Sequence, residues 1–232
     1  MTTDLLSGHN VVSMMELLED NRFPAVNEMQ NYWDDLRGDR QVPLRSEVDP
    51  RKIENCLAYA FILERIAPGL ARFRLAGTHL NDLIGMEVRG MPLTAIFAPD
   101  ARNGLSELLE QVFSDPSVVQ ISLKAEDAIG KPPIDGRMIL LPLKSDFGDV
   151  TRVLGCFVTQ GAIGRTPRRF ALTDAKLAKA TGRHLGVPPL PLPDTTAAHS
   201  AGFAEARNNF TPAPHRPTVK GRPHLRLVAS ND

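Results

Sequence analysis

From Val118 to Glu126 the chain reads VVQISLKAE, and from Val119 on apolar and polar residues alternate without a break. Val119, Ile121, Leu123 and Ala125 fall on one side, and Gln120, Ser122, Lys124 and Glu126 on the other. A period of two with one wet face is the pattern of a half-buried strand in an antiparallel sheet. Two further strands, GRMILLPL and RVLGCFVTQ, follow, joined by the polar turn KSDFGDV. Upstream, LAYAFILERI and RFRLA flank Pro68-Gly69, a hairpin signal, with Phe73 and Leu75 expected on one face and Arg72 and Arg74 on the other. Between the two sets lie THLNDLIG, MPLTAIF and a helix from Pro99 to Ser114, where Leu105, Leu108, Leu109, Val112 and Phe113 follow the 3.6-residue period. Strands that alternated singly with helices would form a parallel sheet. Two strands, a helical cluster and three strands instead predict an α+β fold: a five-stranded antiparallel sheet with helices on one face.

The flanks add helices. Asn10 can cap VVSMMELLED, where Val11, Met14, Met15 and Leu18 form one stripe. Pro24 suits the first turn of a second helix, in which Val26, Met29, Trp33 and Leu36 line up before Gly38. Asp49-Pro50 caps a short helical piece around RKIEN, and Thr173 is expected to cap a last helix, DAKLAKATG. From Val187 proline and polar residues prevail with no sustained period, the composition of a disordered segment. The expected organisation is an N-terminal helical extension over 1–22, a domain with its flanking helix over 23–172, a short helix over 173–186 and a Pro-rich tail over 187–232.

Charge narrows the partners. Lys+Arg and Asp+Glu are equal at 27 each, so no overall basic field favours nucleic acid. Cys56 and Cys156 stand far apart, which suits a reducing compartment. Asp4 and Glu16 stand where a signal peptide needs basic and clean apolar stretches, and no apolar run approaches the ~20 residues of a membrane span. The expectation is a cytoplasmic protein with no membrane partner.

Several segments together carry a family resemblance. In YWDDLRGDRQVPLRSEVDPRKI the residues Trp33, Leu36, Arg37, Arg40, Pro43, Arg45, Ser46, Asp49 and Pro50 follow a recurrent pattern. The strand LAYAFILERI, then FRLAGTHLNDLIGMEVRGM, and finally GAIGRTPRRFAL continue it. Over about residues 26–172 the chain resembles the single-PAS-domain proteins common in alphaproteobacteria. The resemblance implies a PAS-like fold and a sensory or protein-interaction module with no shared catalytic residues. It also implies that RLAGT ends the second strand, with Gly77 allowing a sharp turn. The stretch contains neither GxGxxG nor GxxxxGK[ST], so a phosphate loop is not expected.

Candidate chemistry is sparse. His79 is the only histidine between residues 26 and 160, and the helix on which haem-binding relatives usually carry their ligand has no His and no Cys. Asn55-Cys56 precedes the first strand and lacks the rest of the flavin photosensor motif, so Cys56 reads as a small buried hydrophobe. No cofactor and no metal are expected, and no catalytic residue is assigned: HExxH, GxSxG and paired-cysteine motifs are absent. RTPRR places Arg165 and Arg169 four apart, with Arg168 between them. That spacing is similar to the phosphate-contacting motif of PilZ-type cyclic di-GMP receptors, whose second motif does not follow. The alternative function is therefore a phosphate-ligand receptor built on these arginines.

Two surfaces complete the expectation. The concave face carries Phe73, Leu75, Ile121, Leu123, Met138 and Leu140 toward Leu80, Leu83, Leu109 and Phe113. This space is a ligand pocket if open, and a filled core is the expectation because buried space is normally packed. Val26, Met29 and Trp33 are the candidate interface with a protein partner or a second copy, since exposed apolar stripes mark contact sites. The function expected is a non-catalytic regulator acting through protein partners, with a small ligand as an alternative gate.

Overall fold

Strand β1 (Ala60–Ala67) turns at Pro68-Gly69 into β2 (Leu70–Ala76), and the two pair antiparallel. The computed structural model to which they belong describes residues 22–181. The expected helix around Val11–Asp20, residues 182–186 and the Pro-rich stretch from Val187 lie outside the described residues. Helix α1 (Pro24–Arg37) precedes the hairpin, with proline in its first turn as expected. A 3-10 segment, Pro50–Cys56, follows, and the Asp49 carboxylate accepts from the Arg51 amide at 3.1 Å. After β2 come α2 (Thr78–Ile84), a 3-10 turn at Leu93–Ile96 and α3 (Arg102–Ser114). Then β3 (Ser117–Ala125), β4 (Asp135–Lys144), β5 (Val150–Gln160) and β6 (Phe170–Lys179) complete the sheet.

The sheet is six-stranded in the order β2-β1-β5-β4-β3-β6, and every neighbouring pair is antiparallel. The α+β class holds, but the strand count expected from sequence was one short. The segment expected as a C-terminal helix is β6. Ala, Lys and Leu favour a helix intrinsically. Here the open edge of β3 offers backbone partners from Ser117 to Ala125, and this tertiary context decides. Thr173 caps nothing. It is the extra residue where the register shifts between Ser122 and Leu123, and its hydroxyl donates to the Ser122 carbonyl at 2.9 Å.

Helices cover both faces rather than one. On the inner face α2 and α3 bury Leu80, Leu83, Leu105, Leu109 and Phe113 against Phe61, Phe73, Ile121, Met138, Leu140 and Phe157. On the outer face α1 buries Phe23, Val26, Met29 and Trp33 against Ile139, Leu141, Leu154, Cys156 and Val158. β4 is therefore covered on both sides, which explains its continuous apolar run ILLPL.

Candidate functional site

The residues expected to line an inner pocket fall into two groups. Phe73, Leu80, Leu83, Leu109, Phe113, Ile121, Leu123, Met138 and Leu140 are all buried in one continuous inner core. The Phe61 and Phe73 rings meet edge to face at 5.5 Å, and Phe157 and Phe170 at 5.0 Å. Leu75 is the exception: it is 52% exposed. The cause is a bulge. Leu63 pairs with Phe73 and Ile62 with Leu75, so Arg74 is an extra residue and the strand changes face there. Strict alternation had put Leu75 beside Phe73; the structure puts it on the outer face beside Ile62.

That flip builds a surface site. Ile62, Leu75 and Leu154 lie side by side across β1, β2 and β5 on the outer face, at an edge α1 leaves open. Val48, Pro50, Ile53 and Leu57 of the 3-10 segment and its approach wall the other side, enclosing an apolar groove with room for about 160 Å³. Leu57 is itself 41% exposed. Gly77 closes one end. Its φ of −70° is open to any residue, so a sharp turn is not what requires glycine. A Cβ there would meet the carbonyl oxygens of Leu57 and Ala58 at 2.3 Å, and this close backbone approach is the reason.

The next row along the same face is charged. Arg72 on β2 and Arg152 on β5 flank Glu64 on β1, at 2.8 and 2.9 Å from its carboxylate, and Arg74 adds a third contact at 3.4 Å. The hydrogen bond from Arg72 holds the Glu64 carboxyl below its ordinary range, with Arg152 and Arg74 adding to the effect. Arg45, Arg74, Arg89 and Arg152 gather around Ile62 and Leu75, with Asp146 the one acid lining the same hollow. Arginine thus outnumbers carboxylate at this corner of a chain whose total charge is zero. Sequence reading missed the corner because its residues come from separate segments. The hint available was Arg72 and Arg74 on an edge strand opposite Glu64.

The other candidate residues are committed to the fold. Val26, Met29 and Trp33, expected at an interface, are 1%, 0% and 1% exposed and pack on the protein's own sheet. Arg168, expected to contact phosphate, is fully buried and donates to the carbonyls of Ile163, Glu126 and Pro132 at 2.9, 3.2 and 2.6 Å. Arg169 donates to the Ala95 carbonyl. Arg165 alone of the three is exposed, so the structure does not bring these arginines together as an anion cradle. His79 shares a 3.0 Å hydrogen bond with Thr159 and packs edge to face on Tyr59 at 5.0 Å. Burial lowers its pKa, against an opposing pull from Asp82. The Cys56 and Cys156 thiols both lie against the Ala25 carbonyl, at 3.4 and 3.7 Å. Burial pushes the Cys56 pKa up to about 12 and that of Cys156 also upward. Among the described residues no group of His, Cys, Asp and Glu is arranged to hold a metal, and no helix is long and apolar enough to cross a membrane.

The antiparallel sheet in this order, with short helices between its second and third strands, defines an α+β fold. The chain belongs to the PAS-domain family, whose model, described as a PAS domain, matches residues 22–158. It is also similar to solved structures. One is the light state of the blue-light photoreceptor Aureochrome1 LOV, at 10% identity over 48% of this chain and 88% of that one, with a TM-score of 0.34. Another is a light-oxygen-voltage domain on whose mechanism a flavin analogue sheds light, at 14% identity over 48% and 83%, with a TM-score of 0.35. A third is an RNA-binding light-oxygen-voltage receptor, at 14% identity over 68% of this chain and 36% of that one, with a TM-score of 0.33. No curated protein matches the sequence significantly.

Proposed function

We propose that the protein is a non-catalytic PAS regulator of the cytoplasm that works by protein–protein interaction, with the arginine-flanked groove around Leu75 as its contact surface. One observation carries this reading: exposed Leu75 and the arginines Arg45, Arg74, Arg89 and Arg152 share the edge of the outer face that α1 leaves open. Residues that bear chemistry elsewhere serve the fold. The histidine packs on aromatic rings, the thiols are buried, and two of the three candidate phosphate arginines hold backbone carbonyls. The residues expected to line a ligand pocket are buried in one apolar cluster, which supports a signal at the surface rather than in the core.

The test is purification from host cells of the full chain, Leu75→Glu and Leu177→Glu. Leu177 is an exposed leucine at the opposite edge of the sheet. A specific partner should be retained by the parent and by Leu177→Glu and lost from Leu75→Glu. Equal retention by both variants would overturn the assignment of the surface. A coloured or small-molecule species bound in the core would overturn the mechanism.

A further inference from the structure

The contact surface also specifies the chemistry of what binds it. Along β1 and β5 the apolar pair Ile62 and Leu154 is followed two residues on, on the same face, by Glu64 and Arg152. The apolar and charged rows are therefore about 7 Å apart at the rise of an antiparallel strand. The groove has room for about 160 Å³, close to the roughly 150 Å³ that holds a benzene ring. It fits one aromatic or leucine-sized side chain. Arg45, Arg72, Arg74, Arg89 and Arg152 stand in or beside the neighbouring hollow, against the carboxylates of Glu64 and Asp146. Glu64 is committed to Arg72, Arg74 and Arg152, while the described residues give Arg45 and Arg89 no ion-pair partner. These two guanidiniums are left to attract an acidic partner.

The partner's backbone is constrained as well. The β2 edge beside the arginine row is taken: the Phe73 amide donates to the Met91 carbonyl at 2.9 Å, the Gly90 amide donates to the Phe73 carbonyl at 2.8 Å, and Arg72 bridges to Pro92. A segment lying here has to satisfy its own amides and carbonyls, which a helix does. Helix positions four apart share a face and lie about 6 Å apart along the axis, close to the spacing of the two rows. An apolar side chain seated in the groove thus brings a carboxylate three or four positions further on, from the same face, to the arginines. Phe147, 95% exposed in the turn between β4 and β5, adds an apolar contact beside Asp146 at the rim of the hollow.

We infer that the groove and the arginine hollow bind an amphipathic helix of a partner protein, one that carries an aromatic or leucine-sized residue followed three or four positions later, on the same face, by Asp or Glu. The inference rests on the proposed contact surface and names the chemistry of its partner. The apolar residue is the anchor that excludes water, and the carboxylates set orientation and association rate.

The experiment selects a displayed library of randomised helical peptides against the full chain, so that the surface itself chooses the chemistry. Leu75→Glu and Arg45→Glu/Arg89→Glu are screened alongside, each confirmed as folded by circular dichroism. Clones selected on the parent should share an apolar residue with an acid at i+3 or i+4, and should lose at least tenfold in affinity for both variants. Fresh selection on Arg45→Glu/Arg89→Glu should replace the acids with Lys or Arg. No enriched clones, clones without an acidic preference, acids on the face opposite the apolar residue, or a preference unchanged by charge reversal would each overturn the inference. So would flotation of the parent with phosphatidylglycerol vesicles that is abolished in Phe147→Ser, since Phe147 and the arginines would then serve an anionic membrane. Clones of the expected kind that bind Leu75→Glu undiminished would take down the contact surface as well. Loss of a host partner from Leu75→Glu, with no acidic preference among the clones, would leave the contact surface standing and only the partner's chemistry wrong.

Discussion

The indole N–H of Trp33 donates to the carbonyl oxygen of Pro142 at 2.8 Å, tying the middle of α1 to the most buried strand of the sheet. Both partners are out of solvent, so the bond lacks a substitute in water. Trp33→Phe should cost about 1–3 kcal/mol, because it leaves the Pro142 carbonyl unsatisfied. Trp33→Ala should cost about 3–5 kcal/mol by adding a cavity. Urea denaturation of both variants gives the comparison. Losses under about 0.5 kcal/mol would mean that α1 does not hold its outer-face position in solution.

The placement of α1 also shows where the sequence stopped being legible. Its helical stripe was plain from the spacing of Val26, Met29 and Trp33, but a stripe does not say whose surface it covers. The element order and the alternation in β3 were equally plain and led directly to the α+β sheet. β6 was hidden because Ala, Lys and Leu favour a helix locally, and only the free edge of β3 makes a strand the better choice. Leu75 was misplaced for a related reason. A bulge depends on register with a neighbouring strand, and one extra residue reverses every side chain beyond it. The candidate groove exists because of that reversal, so it could not be seen before the fold.

Gly77→Ala should be among the most damaging conservative changes at the surface. The new methyl would sit 2.3 Å from two backbone carbonyl oxygens, those of Leu57 and Ala58, and backbone cannot turn aside as a side chain can. Overpacking of this kind costs about 1–3 kcal/mol. Since Gly77 closes the groove, the same variant should also weaken partner retention. Gly104→Ala is the control: it lies in α3 with nothing within 4 Å of an added Cβ, so it should be neutral or mildly stabilising. Thermal melts of the two variants that coincide would contradict the close approach at Gly77.

The two thiols should be inert in the native state. Thiolate is the reactive form, and burial drives both cysteines well away from it, Cys56 to about 12. Labelling with a disulfide reagent at pH 8 should therefore proceed at the rate of opening of the α1 face and become rapid only in denaturant. Rapid labelling of folded protein, at the rate of a free thiol, would show that α1 lifts from Cys56 and Cys156.

His79 predicts the pH response of stability. Burial lowers its folded pKa below the ordinary 6.5, so the unfolded chain binds the proton more readily than the folded one. Stability from this group is therefore complete above about pH 6.5 and declines as pH falls toward the lowered folded value. Asp82 opposes the shift without reversing it. Denaturation midpoints measured between about pH 7.5 and 5.5 should drop for the parent and stay nearly flat for His79→Gln. A midpoint that rises on acidification over that range would require an imidazolium stabilised by Asp82 and would reverse the sign.

Arg168 and Arg165 separate a structural role from a phosphate-binding one. Arg168 donates to the Ile163, Glu126 and Pro132 carbonyls from a fully buried position just before β6. Removing it breaks three hydrogen bonds made by a fully buried side chain, each worth about 0.5–1.5 kcal/mol, and leaves a cavity in its place. Arg168→Ala should accordingly destabilise the protein by several kcal/mol, and Arg168→Lys should recover only part, since an ammonium cannot reach all three carbonyls in the guanidinium's planar fork. Arg165 is exposed and offers its backbone amide, at 2.8 Å, to the Gly130 carbonyl, a bond that survives truncation of the side chain. Arg165→Ala should leave the midpoint of denaturation within about 0.5 kcal/mol of the parent. Calorimetric titration of the parent with cyclic di-GMP completes the comparison. Binding that disappears in Arg165→Ala while stability is unchanged would restore the anion-receptor reading; no heat of binding, together with a large loss in Arg168→Ala alone, leaves the basic segment a brace for β6.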